Sequence, residues 1–437
     1  MPVPPPPAGA GRMGGRAAQD QTSEHELQVF LASLGSALSA IGETVDAVER
    51  RLADIARSYG LPDARFSVLP TSLFLALAPG RAATIEPTAR LSATPRLDQI
   101  AAVHVLAEEA EHRAIAPADG IARLEEIRTM GDRFGVVANL LGYATLTIGI
   151  ALVLHPAPRD VVAAGALGAL VGVLRRLGRG RRTVETLMPF LAAFCVAALT
   201  ALLVEQDVTD PGLRAMIAAL VVFIPGVPLT TAFLELTEGQ MIAGSSRLVW
   251  GGAQLGLLAF GIVAGIGAVG VPAEQAFSSS DAVLGWWAPW LGVLVFAFGV
   301  TIAHSAPAGA FASLLVVLYA AWTGQVVGNA LFGGYVSGFV GAVVMTLVAY
   351  MLARLPSTMP VYAMFLPGYW LLVPGSLGLI GLTTIIASPE TAASGDLLAV
   401  IGSIAAVALG VLCGVELYRW LMGAERRARS LRRGGAT

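Results

Sequence analysis

The chain reads as an α-helical membrane protein, with about ten transmembrane helices in two inverted five-helix repeats and a small α+β cytoplasmic N-terminal domain. Three observations predict this. Of its 437 residues, 55% are hydrophobic and only 13% charged, where soluble domains carry about 25% charged residues. From Phe134 onward, apolar stretches recur at lengths near the ~20 residues that cross a bilayer. Two of these stretches are interrupted by a Pro-Gly pair, Pro225-Gly226 and Pro374-Gly375, at matching places in the two halves. Proline removes a backbone donor and clashes with the preceding turn, so a helix breaks there. Paired breaks of this kind point to a transporter's binding site.

Residues 1–22 are rich in Pro, Gly and Ala and are expected to be a disordered tail, with no apolar run of signal-peptide length. Residues 23–131 form the cytoplasmic domain. Apolar residues from Leu27 to Ile55 recur at spacings of three and four, which predicts a long helix over 24–59, interrupted at Gly42 and stopped by Gly60-Leu61-Pro62. RFSVLPTSLFLALA alternates and predicts two strands, with a third in ATIEPTARLS. Two helices follow, one with Asp98 near its start and one with Pro117 in its first turn. His104, Glu108 and His112 share a helical face at a spacing of four. A metal site there lacks a fourth ligand, and a solvated polar face is the expectation.

The predicted spans are 134–154, 160–175, 186–204, 213–235, 241–268, 284–304, 308–326, 331–353, 360–387 and 397–421. They divide into repeats over 132–270 and 283–423, with a basic tail over 424–437. With the front domain inside, the basic segments RRLGRGRR, ARLPSTMP and RRARSLRR all fall on the cytoplasmic side, which places both termini in the cytoplasm. VGNA is expected to be a short outer turn, and Trp286, Trp287 and Trp290 an aromatic belt. Cys195 and Cys413 lie in apolar segments as packing residues. Gly261 with Gly265, and Gly334 with Gly338, are spaced for close helix approach.

Ionisable groups near hydrocarbon are costly, which singles out Glu235, Glu238 and Arg247. They read as a proton-coupling group with its partner or as an interfacial ion pair. Pro225, Gly226, Pro228, Thr230 and Thr231 at the first break, Pro374, Gly375 and Ser376 at the second, and Asn139 are the candidate solute contacts. Thr383, Thr384 and Asn329 are further polar candidates. The hydroxyls could equally cap freed backbone groups, and the asparagines could be helix-packing links. GIGAVG at 265–270 closes a membrane helix and follows no strand, so it is no dinucleotide loop. No Walker A sequence, GxSxG elbow or HExxH motif occurs, which argues against an enzyme, and no cofactor is expected. The expected partners are a small polar solute, protons and lipid, with self-association left open and no nucleic acid.

On these residues the chain resembles the threonine/serine exporter family. IPGVPLTTAFLELTEGQMIAGSSR carries the resemblance through Pro225, Gly226, Pro228, Glu235, Gly239, Gly244 and Arg247. LVPGS at 372–376 resembles the second-half turn, and the front domain resembles the family's cytoplasmic domain; together these cover residues 28–422. The acidic position is more often Asp in the family, so Glu235 is one methylene longer. The resemblance implies a ten-span exporter of threonine and serine driven by the proton gradient. A dicarboxylate exporter is the alternative, and a membrane-anchored enzyme or signalling protein a third.

Overall fold

The computed structural model describes residues 10–78, 83–87, 96–154, 157–206, 213–272, 284–355, 358–372 and 394–434. The chain divides into two compact units, one formed by residues up to 95 with 102–131, the other by 96–101 with the chain from Asp132 onward.

In the first unit, helix α1 spans Ala10–Ala40 and α2 spans Val45–Ser58. The expected tail thus contains helix from Ala10, and the predicted single helix over 24–59 is two. The reason for the split is local. Gly42 adopts φ 101°, open to glycine at no steric cost, and the Thr44 hydroxyl caps α2 by accepting from the Ala47 amide. Strands β1 (Arg65–Leu69), β2 (Ser72–Ala76) and β3 (Thr84–Pro87) form an antiparallel meander in the order β1-β2-β3. Register pairs Ser67 with Phe74 and Phe74 with Ile85. The period of two turns Leu73 and Leu75 into the core, where Phe30, Leu34 and Leu52 are also buried. Helices α3 (Leu97–Glu111) and α4 (Pro117–Thr129) follow. Gly120 of α4 lies where a Cβ would strike the Phe30 ring, so α4 seats closely on α1.

The His104–Glu108–His112 face is not a uniformly solvated one. Glu108 and His112 are exposed, but His104 is buried, because it joins an ionic cluster reaching from α2. Arg51 Nη1 donates to His104 Nδ1 at 2.9 Å and meets Glu43 at 3.3 Å, while its Nε donates to Glu111 at 2.6 Å. A guanidinium has only donors, so His104 accepts on Nδ1 and is neutral, with its proton on Nε2. Burial pushes the Glu43 carboxyl up to about 7, with Arg51 opposing, and pushes His104 down to about 3. No metal-ligating group of three occurs among the described residues.

The second unit is helical. Helices α5 (Val136–Val153), α6 (Pro158–Gly178), α7 (Arg182–Glu205), α8 (Leu213–Leu220), α9 (Gly226–Thr237) and α10 (Met241–Val269) form its first half. Helices α11 (Ala288–Ala303), α12 (Ala310–Phe332), α13 (Gly334–Leu352), α14 (Val361–Leu372) and α15 (Ser394–Gly434) form its second. Among the described residues, six helices are long and apolar enough to cross a membrane, and the bent pair over 214–223 and 226–237 makes up to seven. Three shorter apolar helices lie over 288–303, 336–352 and 361–372. The VGNA segment is not a turn. It continues α12 to Phe332, and the chain reverses at Gly333 with φ 85°. Trp286 and Trp287 are exposed, whereas Trp290 packs inward, stacked on Tyr319. Cys195 and Cys413 are free thiols.

Glycines set the helix contacts. Gly142 and Gly149 of α5 meet α11 at Ala303 and Phe296, and Gly292 and Gly299 of α11 meet α5 at Gly149 and Leu146, each with room for no side chain. Gly261 and Gly265 of α10 lie against Phe190, Ala193, Phe194 and Ala197 of α7. Gly410 and Gly414 of α15 lie against Phe339, Ala342 and Thr346 of α13. Backbones approach this closely only at small residues.

The buried cluster of the first unit makes a pH prediction. Native Glu43 holds a proton up to about pH 7, whereas the unfolded chain loses it near pH ~4.5, so its contribution falls as pH rises through that window. His104 runs the other way, its contribution being full above its unfolded value and lost as pH falls. Glu43→Gln should therefore match the wild type below pH ~4.5 and exceed it above pH 7, by on the order of 2–3 kcal/mol. Amide exchange in α2 of the full chain, compared at matched pH, measures this. Weaker protection than wild type at pH 8 would show that the Arg51 attraction outweighs burial.

Candidate functional site

The site grows from the first Pro-Gly pair. Helix α8 tightens into a 3-10 turn over Val221–Phe223, Ile224 is extended, and α9 restarts at Gly226, bent by 60° from the preceding segment. Pro225 is the N-cap of α9 and Pro228 its third residue, positions where a missing amide costs no helical bond. The freed backbone finds two partners. The Gly226 amide donates to the Ile224 carbonyl at 2.8 Å. The Phe223 carbonyl accepts from the Gln254 side-chain amide of α10 at 2.7 Å. An orphaned buried backbone group costs as much as a lost hydrogen bond, so Gln254 is part of what makes this break stable. Sequence reasoning did not single it out, although a lone amide inside an apolar helix is a signal of that role.

Of the first-break candidates, Thr230 and Thr231 follow one turn into α9, both buried. Among the described residues the Thr230 hydroxyl makes no hydrogen bond, so it does not cap the freed groups of Phe223–Gly226. Gly226 faces α14, where a Cβ on it would lie 4.0 Å from the Tyr369 carbonyl oxygen. Pro374, Gly375, Ser376, Thr383 and Thr384 lie outside the described residues. The Pro-Gly pair just before them, Pro367-Gly368, sits inside α14 without ending it.

Glu235 and Arg247 come together. Arg247 Nε lies 3.1 and 3.0 Å from the two carboxylate oxygens, and the Glu235 side chain is fully buried. The cause is again a glycine: Gly244 brings α10 onto α9 where a Cβ would meet Leu236 and the Ala232 carbonyl. Glu238 is exposed at the C-cap of α9. Asn139 donates to the Ala303 carbonyl at 3.1 Å and so ties α5 to α11, the helix-packing option. Asn329 accepts from the Gly333 amide with its main-chain carbonyl, closing α12.

Aromatic rings and two basic groups also gather near the break. Arg175 of α6 lies over the rings of Tyr143 and Phe223, at 5.5 and 5.6 Å. His304, at the end of α11, is buried between Tyr143 and Trp370, with ring centroids 5.9 and 4.9 Å away. Neither Arg175 nor His304 was apparent as a site residue in the sequence, since both end helices beside polar loops.

Two outcomes test the local arrangement. Gln254→Leu leaves the Phe223 carbonyl unmet in an apolar setting and should destabilise the protein by about 1–3 kcal/mol, read as a lower melting temperature in detergent. Glu235→Gln should cost roughly 3 kcal/mol by stranding a charge, and adding Arg247→Gln should recover much of it. Additive losses in the double variant would show that the two side chains are not coupled.

Residues 29–268 match a family model described as "Putative threonine/serine exporter". No curated protein and no solved structure matches the chain.

Proposed function

The chain belongs to the threonine/serine exporter family, and from that premise we propose that it exports threonine and serine across a bacterial plasma membrane, driven by the proton gradient. It is a multi-pass membrane protein by its family and its apolar helices. The observation that carries the proposal is the unwound turn at Ile224–Gly226, set against α14 and near a buried hydroxyl, that of Thr230, without a hydrogen bond among the described residues. Unwound backbone inside a membrane protein is tolerated where it lines a cavity or is buried in protein, and such breaks are where transporters of this plan bind solute. Pro225, Gly226, Pro228, Thr230 and Thr231 shape the site in this reading, with Pro374, Gly375 and Ser376 as the second-half counterpart and Asn139 as a link beneath it.

The ten-span, inverted-repeat plan is part of the same proposal. Six long helices, the bent pair and the three shorter apolar helices make ten. Recurrent spacings support the repeat. Gly261 and Gly265 recur 149 positions later as Gly410 and Gly414, and their contacts Phe190, Ala193 and Ala197 recur as Phe339, Ala342 and Thr346 at the same spacing. Pro225-Gly226 recurs as Pro374-Gly375, again 149 positions on. Five spans per copy invert the second, which puts residues 23–131 and both termini in the cytoplasm. Glu235 is the coupling group: paired with Arg247 in the state described, it takes up a proton and releases the arginine in the other.

Efflux from proteoliposomes loaded with threonine, serine or succinate tests this. Threonine and serine should leave faster with an inward proton gradient. Glu235→Gln should keep gradient-free exchange and lose the acceleration, and Pro225→Ala with Gly226→Ala should lose transport while folding, because alanine restores the helix. Efflux of succinate alone would replace the amino-acid reading with the dicarboxylate one.

A further inference from the structure

Arg175 and Arg176 are neighbours on α6 and face different surroundings. Arg176 is exposed, as suits a basic residue in the last turn of a helix. Arg175 lies over two rings, its Nη1 is buried, and among the described residues that atom makes no hydrogen bond. Among the described residues no carboxylate forms an ion pair with it. A guanidinium offers five in-plane donors and no acceptor. The Tyr143 and Phe223 rings contribute cation–π attraction, which leaves in-plane donors open. A planar carboxylate is the group that such a fork binds with two parallel hydrogen bonds.

The place supports the same ligand. Phe223 ends the 3-10 turn, three residues before Gly226. From Arg175 the contacts run through Tyr143 to His304 and Trp370, and the Tyr369 carbonyl next to Trp370 faces Gly226. The contacts therefore lead from Arg175 back to the broken turn. Among the described residues, His304 Nε2 and Thr230 Oγ1, both on fully or nearly fully buried side chains, are also without a hydrogen bond. Buried polar groups are rarely left unmet, and a polar ligand held where these elements meet would supply the partners. Gln325, 150 positions after Arg175, also buries a side-chain oxygen without a hydrogen bond. The same spacing relates Gly142 and Gly149 to Gly292 and Gly299.

We propose that Arg175 anchors a carboxylate of the transported solute, gripping both oxygens beside the Ile224–Gly226 turn. This rests on the transport reading and adds the group that recognises the acid. It ties the site to α6, a helix whose sequence reads as an ordinary span ending in a basic loop.

The test is binding, which needs no transport. Full-length protein in nanodiscs is titrated calorimetrically with L-threonine, with L-threoninol, whose carboxylate is reduced to an alcohol, and with succinate. The wild type should bind threonine at least tenfold tighter than threoninol. Arg175→Gln, with an unchanged melting temperature, should weaken threonine binding by at least about tenfold. Arg175→Lys should fall between, and Arg176→Gln should match the wild type. Equal binding of threonine and threoninol by the wild type, a comparison independent of any variant's folding, would overturn the anchor. So would full threonine affinity in folded Arg175→Gln, or no binding of any of the three by the wild type. Binding of succinate but not threonine, lost in Arg175→Gln, would sink the amino-acid substrate and uphold the anchor.

Discussion

The arrangement depends on one constraint: a chain that leaves the helix inside an apolar surround must still satisfy its backbone. At Phe223–Gly226 the two prolines remove donors where none is needed, a short Gly226-to-Ile224 bond closes the turn, and Gln254 reaches across from α10 to the Phe223 carbonyl. Everything at the site follows from this solution. The 60° bend aims α9 differently from α8, brings Gly226 against α14, and delivers Glu235 to Arg247. Because Gln254 and Arg247 stand on the same helix, α10 holds the break at one end of α9 and the ion pair at the other. A shift of α10 along α9 would disturb both.

Close packing makes that geometry rigid. The α5–α11, α7–α10 and α13–α15 contacts all rest on glycines whose Cβ positions are taken by a neighbouring helix. Bare backbones at contact cannot slide by small amounts without clash, so any change of state has to move packed groups as bodies. The recurrence of the α10-on-α7 pattern in α15 on α13, down to the phenylalanine and alanine that receive the glycines, shows the same solution used twice in one chain.

Much of this was legible in the sequence. The Pro-Gly break, the acid and the arginine stand in one contiguous motif, and Gly244 between them sits where helix contact needs a small residue. The first two strands were legible because alternation at a period of two is unambiguous in SVLPTSLFLAL. Other features were hidden for physical reasons. Gly42 separates α1 from α2, but a glycine inside a periodic pattern does not reveal whether its φ is positive. His104 looks like one of three equivalent face residues until Arg51, half a domain away in sequence, buries it. Arg175 lies in a run of basic residues whose charge explains itself as a cytoplasmic loop, and only its contacts with Tyr143 and Phe223 separate it from Arg176. The glycines of α5 and α11 are seven apart in each helix, a spacing that becomes a contact pattern only once the two helices are known to cross. The second Pro-Gly pair lies outside the described residues, so its match to the first rests on the sequence alone.

The most direct measurement is an electron cryo-microscopy map of the full chain in nanodiscs with saturating threonine. The account places the carboxylate between Arg175 and the Ile224–Gly226 turn, with α8 and α9 still separate. A ligand bound away from both, or one continuous helix from 213 to 237, would contradict it.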